Sequence, residues 1–360
     1  MIEDDLWRRL CKHYLGNEEG TPSGSVTDVL DGLVLGPKEH TISGISTHLL
    51  KAQPREPRTR LRLKRKVEVR LNNEPTAICS GYEQVVIASI RHQLRGYGLD
   101  YSTRWISPAL HLNRITTVAT HLRQNCFVTG SDDKTIKLYD SKAGTVVQTF
   151  INVSDAICTL ACSKVDDLIL AADASGNVAG WTSPVSQPVI KFAGHKGRAT
   201  VSLLENQTHI LTGGVDGLLR VWDLRSPAQP LKTHSIFGSS IVQILVFGDV
   251  GYALCGNGLY MFSPASGELF SYNGDIVSSR YSVLRLIDHQ DEELRMILAL
   301  GMNAPVAMSP KCVTMTFPVV SKGTFTSLRD AIIIPDDPPT LLVATRDACL
   351  QAYSMHPQMG

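Results

Sequence analysis

The 360-residue sequence predicts an all-β fold built from a small antiparallel sheet repeated along the chain, with a short helical extension at the N-terminus. Three observations carry this. First, "ILTGGVDGLLRVWD", residues 210–223, reads as two strands around a turn at Asp216-Gly217, because apolar, β-branched residues alternate on either side of a dipeptide that favours tight turns. Second, the hairpin recurs as "CFVTGSDDKTIKLYD" at 126–140 and "LILAADASGNVAGW" at 168–181, and the terminal aromatics Tyr139, Trp181 and Trp222 are 42 and 41 residues apart. A strand-rich unit at that period is the mark of four-stranded propeller blades. Third, "RLRLKRKVEVRL" at 60–71 alternates with period two, which makes it a free strand outside the repeats.

In chain order, residues 1–60 are expected to form a helix followed by a flexible linker. "MIEDDLWRRLCKHYL" sets Leu6, Leu10, Leu15, Trp7 and Tyr14 on one stripe, with Asp4 and Asp5 at the positive end of the helix dipole. The pattern breaks at Gly16. Gly, Ser, Thr and Pro then dominate, interrupted by apolar islands at Val26–Leu35 and Ile42–Leu50. In the strand 61–71, Leu61, Leu63, Val67, Val69 and Leu71 are expected on a buried face, opposite Arg60, Arg62, Lys64, Lys66, Glu68 and Arg70. The basic run Arg58–Lys66 then reads as a solvated outer face that discourages edge-to-edge pairing. A nuclear-import signal or a phosphate-binding surface is the alternative. Weaker units in step with the three hairpins begin at 76, 241, 281 and 327, which makes seven. The last has only three strands, ending near Tyr353. The segment 61–71 is expected to supply its fourth and so close a ring over 61–356.

These residues carry a resemblance. "GH" at 194–195, Thr212, Asp216 and "WD" at 222–223 resemble the WD-repeat β-propeller family over about 61–356, which implies a seven-bladed WD-repeat β-propeller. In that family His, Ser/Thr, Asp and Trp of one blade form a hydrogen-bonded structural relay, here His195, Thr212, Asp216 and Trp222. The chemistry fits, since an indole N–H and a carboxylate turned toward the interior need partners. A catalytic reading of the same residues has no nucleophile elbow to support it. The unit ending at Tyr139 keeps Thr129 and Asp133, with His111 one residue out of register. The unit ending at Trp181 has Ser154, Ala171 and Ser175 at the relay positions, so no relay is expected there. Separately, "DDLWRRLCKHY" resembles the end of an F-box, the helical module that binds the adaptor of cullin-type ubiquitin ligases. That likeness implies an adaptor-facing helix bearing Leu6, Trp7 and Leu10, with the remaining F-box helices upstream of Met1. A generic amphipathic cap on the propeller is the alternative.

Composition narrows the function. Net charge is +1 and 19% of residues are charged, so no global field points to nucleic acid or an anionic membrane. No apolar run reaches the roughly 18 residues of a membrane span, and no secretory signal pattern opens the chain. The eight cysteines are scattered, and a reduced state in a cytoplasmic protein is expected, with nuclear residence left open by the basic run. Cys158 and Cys162, four apart on one strand, should point the same way and pack rather than bind metal. "GSDDKTIK" lacks the spacing of a phosphate-binding loop, and no paired-His motif is present. No enzyme, cofactor or metal site is therefore expected. Loops entering each blade share a face with the turn after its second strand. Arg114, Asp132, Lys196, Arg198, Val215, Arg280 and Arg346 are expected on this rim, where cations could read an acidic or phosphorylated peptide. Two functions follow: the substrate-recognition subunit of an F-box-type ubiquitin ligase, or a WD-repeat scaffold that assembles a multiprotein complex.

Overall fold

The computed structural model describes residues 60–358 except 109–110, 122–124, 152, 164–165, 193, 204–207, 236–237, 249, 274–280, 288–295, 302–304, 309–313, 317–327, 335 and 337. The expected helix with Leu6, Trp7 and Leu10, the linker after it, and Arg280 lie outside the described residues.

Every regular element among the described residues is a strand, and the strands form seven four-stranded antiparallel sheets. In chain order the first sheet holds Pro75–Gly81, Gln84–Ser89, Leu94–Gly98 and Thr103–Ile106, and the second Ile115–His121, Cys126–Ser131, Ile136–Asp140 and Val146–Phe150. The third holds Ile157–Cys162, Leu168–Asp173, Val178–Thr182 and Ile190–Phe192, and the fourth Ala199–Leu203, His209–Gly214, Leu219–Asp223 and Lys232–His234. The fifth holds Ile241–Phe247, Val250–Cys255, Gly258–Phe262 and Leu269–Asn273, and the sixth Tyr281–Ile287, Met296–Gly301, Pro305–Met308 and Thr314–Thr316. The seventh takes Leu328–Ile334, Thr340–Thr345 and Cys349–Gln358 from the chain's end and Arg60–Arg70 from the start of the described residues.

Burial explains why the second strands are so apolar. In the first, second, third and seventh sheets the second strand is buried at every position, because its two faces pack against different neighbouring sheets. A strand covered on both sides reads as a continuous apolar run rather than an alternation. The cores lie between sheets. Phe127 and Tyr139 of the second sheet pack with Leu94 and Trp105 of the first, and Trp222 of the fourth packs with Leu170 and Phe192 of the third. Leu342 and Leu350 of the seventh meet Ile78 and Ile87 of the first. The first strands touch in cyclic order, each against the first strand of the next sheet, and Leu328–Ile334 of the seventh against Pro75–Gly81 of the first. A repeated unit that cannot cover its own faces is covered here by its neighbours on both sides.

Two expectations need correction. Arg60–Arg70 does pair with Cys349–Gln358, from Arg60↔Gln358 to Arg70↔Cys349, but the register shifts between Arg65 and Val67. An extra residue at Lys66 puts the two halves of the strand out of step. The alternation therefore does not define a single buried face, and Val67 is 39% exposed. The same device governs Cys158 and Cys162. A register shift between Ile157 and Thr159 places Cys158 at a bulge; both residues are half-buried, and Cys162 packs against the core between the second and third sheets as expected. Equivalent shifts follow the first paired residue in the first, second, fifth, sixth and seventh sheets, whereas the fourth runs without one.

Candidate functional site

In the fourth sheet, His195 enters from the loop before Ala199–Leu203, Thr212 sits on the second strand, Asp216 in the following turn and Trp222 on the third strand. The Trp222 indole donates to Thr212 Oγ1 at 2.8 Å, His195 Nε2 lies 2.8 Å from the same oxygen, and Nδ1 lies 2.9 Å from Asp216 Oδ1. The indole takes an acceptor site on Thr212 Oγ1, and the imidazole bridges that hydroxyl and the carboxylate. Asp216 also accepts the Lys196 and Leu218 amides, each at 3.2 Å. Gly214 is required beside this set, since a Cβ there would stand 2.6 Å from the imidazole and from Asp216 Oδ1.

The second sheet repeats the arrangement. His111 Nε2 lies 2.7 Å from Thr129 Oγ1 and Nδ1 2.9 Å from Asp133 Oδ2. The one-residue offset of His111 in the sequence is the bulge between Ile115 and Thr117, which the fourth sheet lacks. The bonds do not reach the third-strand aromatic: the buried Tyr139 hydroxyl has no hydrogen-bond partner among the described residues, and Thr129 Oγ1 lies 3.4 Å from the Lys137 carbonyl instead. In the third sheet the set is dissolved: Trp181 donates to the Ile151 carbonyl at 3.2 Å, and Ser175 donates to Asp155.

Charge follows burial. Desolvation holds both imidazoles below their ordinary value against the upward pull of Asp133 and Asp216, so they are neutral near pH 7. Desolvation is also the largest influence on the two carboxyls and acts to raise them. The hydrogen bonds from Thr135 and the Leu112 amide, or from His195 and the Lys196 amide, outweigh it and leave both below the usual range. Sequence reasoning missed Arg220. Its Nη1 lies 2.6 Å from His195 Nδ1 and 3.5 Å from Asp216 Oδ2, a guanidinium laid over the set and largely buried.

This scaffold aims the loops. Asp133 Oδ2 accepts the Leu112 amide at 2.8 Å just as Asp216 accepts that of Lys196, so the residue after each histidine is held outward. Leu112 is 89% exposed. It was not expected on the rim, although its place after His111 was a usable signal. Arg114 and Asp132 do sit at such a loop and turn, but they form an ion pair at 3.0 Å and neutralise each other. Arg198 and Val215 are joined through the Val215 amide and the Arg198 carbonyl at 3.0 Å. Together with Ala199, Ile241 and Val242 they line a cleft of about 190 Å³. Val215 and Val242 are 46% and 57% exposed there. Lys196 and Arg346 are exposed, the latter after the second strand of the seventh sheet. The structure thus brings Arg198, Val215 and Val242 together and leaves Arg114 paired.

Comparison with known proteins places this geometry. The WD domain, G-beta repeat family matches residues 109–140 and 186–223, the spans that contain the two His–Thr–Asp sets. The chain carries WD40 repeats over these two spans. It is similar to protein tipD of Dictyostelium discoideum, at 26% identity over 149 residues, 41% of this chain and 23% of the other. Autophagy-related protein 16 of Arabidopsis thaliana is 33% identical over 101 residues, 28% and 19% of the two chains. Target of rapamycin complex subunit LST8 of Saccharomyces cerevisiae is 31% identical over 108 residues, 29% and 35%. The matched region thus spans between 19% and 35% of the length of these relatives. Among the described residues no helix is long and apolar enough to cross a membrane.

Proposed function

We propose that the chain forms a seven-bladed β-propeller that acts as a non-enzymatic subunit of a multiprotein complex in the cytoplasm, holding a protein partner on the rim that carries Leu112, Lys196, Arg198, Val215 and Val242. The observation that carries this reading is the cleft between the fourth and fifth sheets, where exposed valines lie beside a guanidinium. Such a site suits an apolar side chain flanked by acidic or phosphorylated residues: the valines bury the first and Arg198 pairs with the second. The name of LST8, a subunit of the target of rapamycin complex, is in keeping with a propeller used as a complex component. Substituting Val242→Asp with Arg198→Glu should remove a defined set of co-purifying proteins without lowering the melting temperature. The edge-strand variant Val147→Asp, away from the rim, should retain them. An unchanged set in the rim variant would reject this surface.

The ligase reading rests on a single observation, the F-box-like "DDLWRRLCKHY" at 4–14. If the chain is the substrate receptor of a cullin-type ligase, the adaptor should co-purify with a form extended upstream and be lost on Leu6→Ala with Trp7→Ala. Failure to recover the adaptor with the extended form removes this reading and leaves the scaffold one standing.

A further inference from the structure

Three side chains that fill the relay space of the fourth sheet are cut back together in the third. Allowing for the extra residue at the Cys158 bulge, His195, Thr212 and Arg220 correspond to Val153, Ala171 and Ala179. The registers agree, Ala171 pairing with Ala179 as Thr212 pairs with Arg220. The vacated space is a cavity of about 90 Å³ whose lining includes Ser154, Ala171, Asp173, Ala179, Trp181 and Lys191. A fourth difference adds chemistry. Asp173 stands where the fourth sheet has Gly214, a position at which a Cβ would press on the imidazole, so a carboxylate is compatible with the cavity only because the histidine is gone.

Asp173 is 2% exposed. Its carboxylate accepts from the Asn177 amide at 2.8 Å and from the Asn177 side chain at 3.1 and 3.4 Å, all within its own turn. A carboxylate has about four acceptor sites, so capacity is left over. Among the described residues Asp173 forms no ion pair, although Lys191 shares the lining of the cavity, and a buried carboxylate favours a cation beside it. The buried Trp181 ring also lines the cavity, and its N–H is already committed to Ile151. An indole wall with a carboxylate floor is the combination that favours a cationic head group. The volume is far below the several hundred Å³ typical of small-molecule sites and suits one side-chain head group.

We propose that this cavity is a recognition pocket for a single basic side chain, guanidinium or ammonium, presented by a partner protein, at a place distinct from the cleft between the fourth and fifth sheets. Asp173 supplies the counter-charge and Trp181 the wall. Lys191, exposed on the outer strand of the same sheet, disfavours a second positive charge at the mouth and weakens binding of the first.

The test titrates the full chain with N-acetyl-arginine methylamide and follows the indole N–H resonances. The Trp181 signal should shift saturably at millimolar ligand while that of Trp222 stays fixed. Asp173→Asn should weaken binding by about ten-fold, and Lys191→Ala should strengthen it. Val153→His with Ala171→Thr refills the cavity and should abolish the shift at unchanged or higher melting temperature. This second variant decides the matter if Asp173→Asn fails to fold. The proposal is overturned if no saturable shift occurs, if N-acetyl-glutamine methylamide shifts Trp181 equally, or if the refilled variant still binds.

Discussion

Thr212 is the hub of the most complete blade. Its one hydroxyl accepts from the Trp222 indole and meets His195 Nε2, each at 2.8 Å, so the isosteric change Thr212→Val strips partners from two buried groups without opening a cavity. A loss of about 2 to 3 kcal/mol in chemical denaturation is expected. Thr129→Val should cost less, because it removes the partner of His111 and only a long 3.4 Å bond to the Lys137 carbonyl, with no aromatic donor attached. Trp222→Ala, which empties a fully packed site between the third and fourth sheets, should cost about 3 to 5 kcal/mol. The residues of this set were legible in the sequence through its resemblance to the WD-repeat family, which implies a relay at these positions. Arg220 was not legible. An arginine at an alternate strand position reads as solvent-facing, and only its approach to Asp216 shows that it lies over the relay. Arg114 failed in the opposite way, since its charge was visible but its partner Asp132, 18 residues on, was counted as a separate rim residue.

At the level of the strands, the period of the repeat was visible and the bulges were not. A bulge is a relation between two strands, and a single sequence shows only one at a time. The consequence is sharpest at Lys66, where one extra residue broke an alternation that looked continuous, and at Thr116, where the same device absorbs the apparent misplacement of His111. The ties between neighbouring sheets were equally hidden. Asp330, buried on the first strand of the seventh sheet, accepts the Ile78 amide of the first sheet at 2.9 Å, a bond across 252 residues of sequence. Asp330→Ala should lower stability by about 1 to 3 kcal/mol, the cost of leaving a buried amide unpaired. Hydrogen exchange at Ile78 should accelerate more than at Val86, which lies in the middle of the same sheet. Equal acceleration at both would show that the carboxylate acts through general stability and not through that bond.

For the whole molecule, the relay histidines make folding sensitive to acid in a direction that can be worked out. His111, His195 and His234 are all held below the ordinary 6.5, chiefly by burial. In the unfolded chain these imidazoles take up protons as pH falls through 6.5, while in the folded chain they stay neutral to lower pH. The unfolded state therefore binds more protons, and stability must fall on acidification. It is fully present above about pH 7 and is lost progressively as pH drops from the unfolded value through the folded ones. Asp133 and Asp216, held below the ordinary 3.8, add a second loss that begins only near pH 4. The melting temperature should thus be flat from pH 8 to 7, decline toward pH 5, and decline again below 4. His111→Gln with His195→Gln should start lower at pH 8, having lost the relay bonds, yet fall less steeply between pH 7 and 5 because two of the three imidazoles are gone. If the double variant keeps the wild-type slope, the acid sensitivity arises elsewhere and the relays do not couple proton uptake to unfolding. If the slope flattens as expected, the histidines bonded to Asp133 and Asp216, the carboxylates that hold the Leu112 and Lys196 amides on the rim, also set the pH range over which that rim is presented.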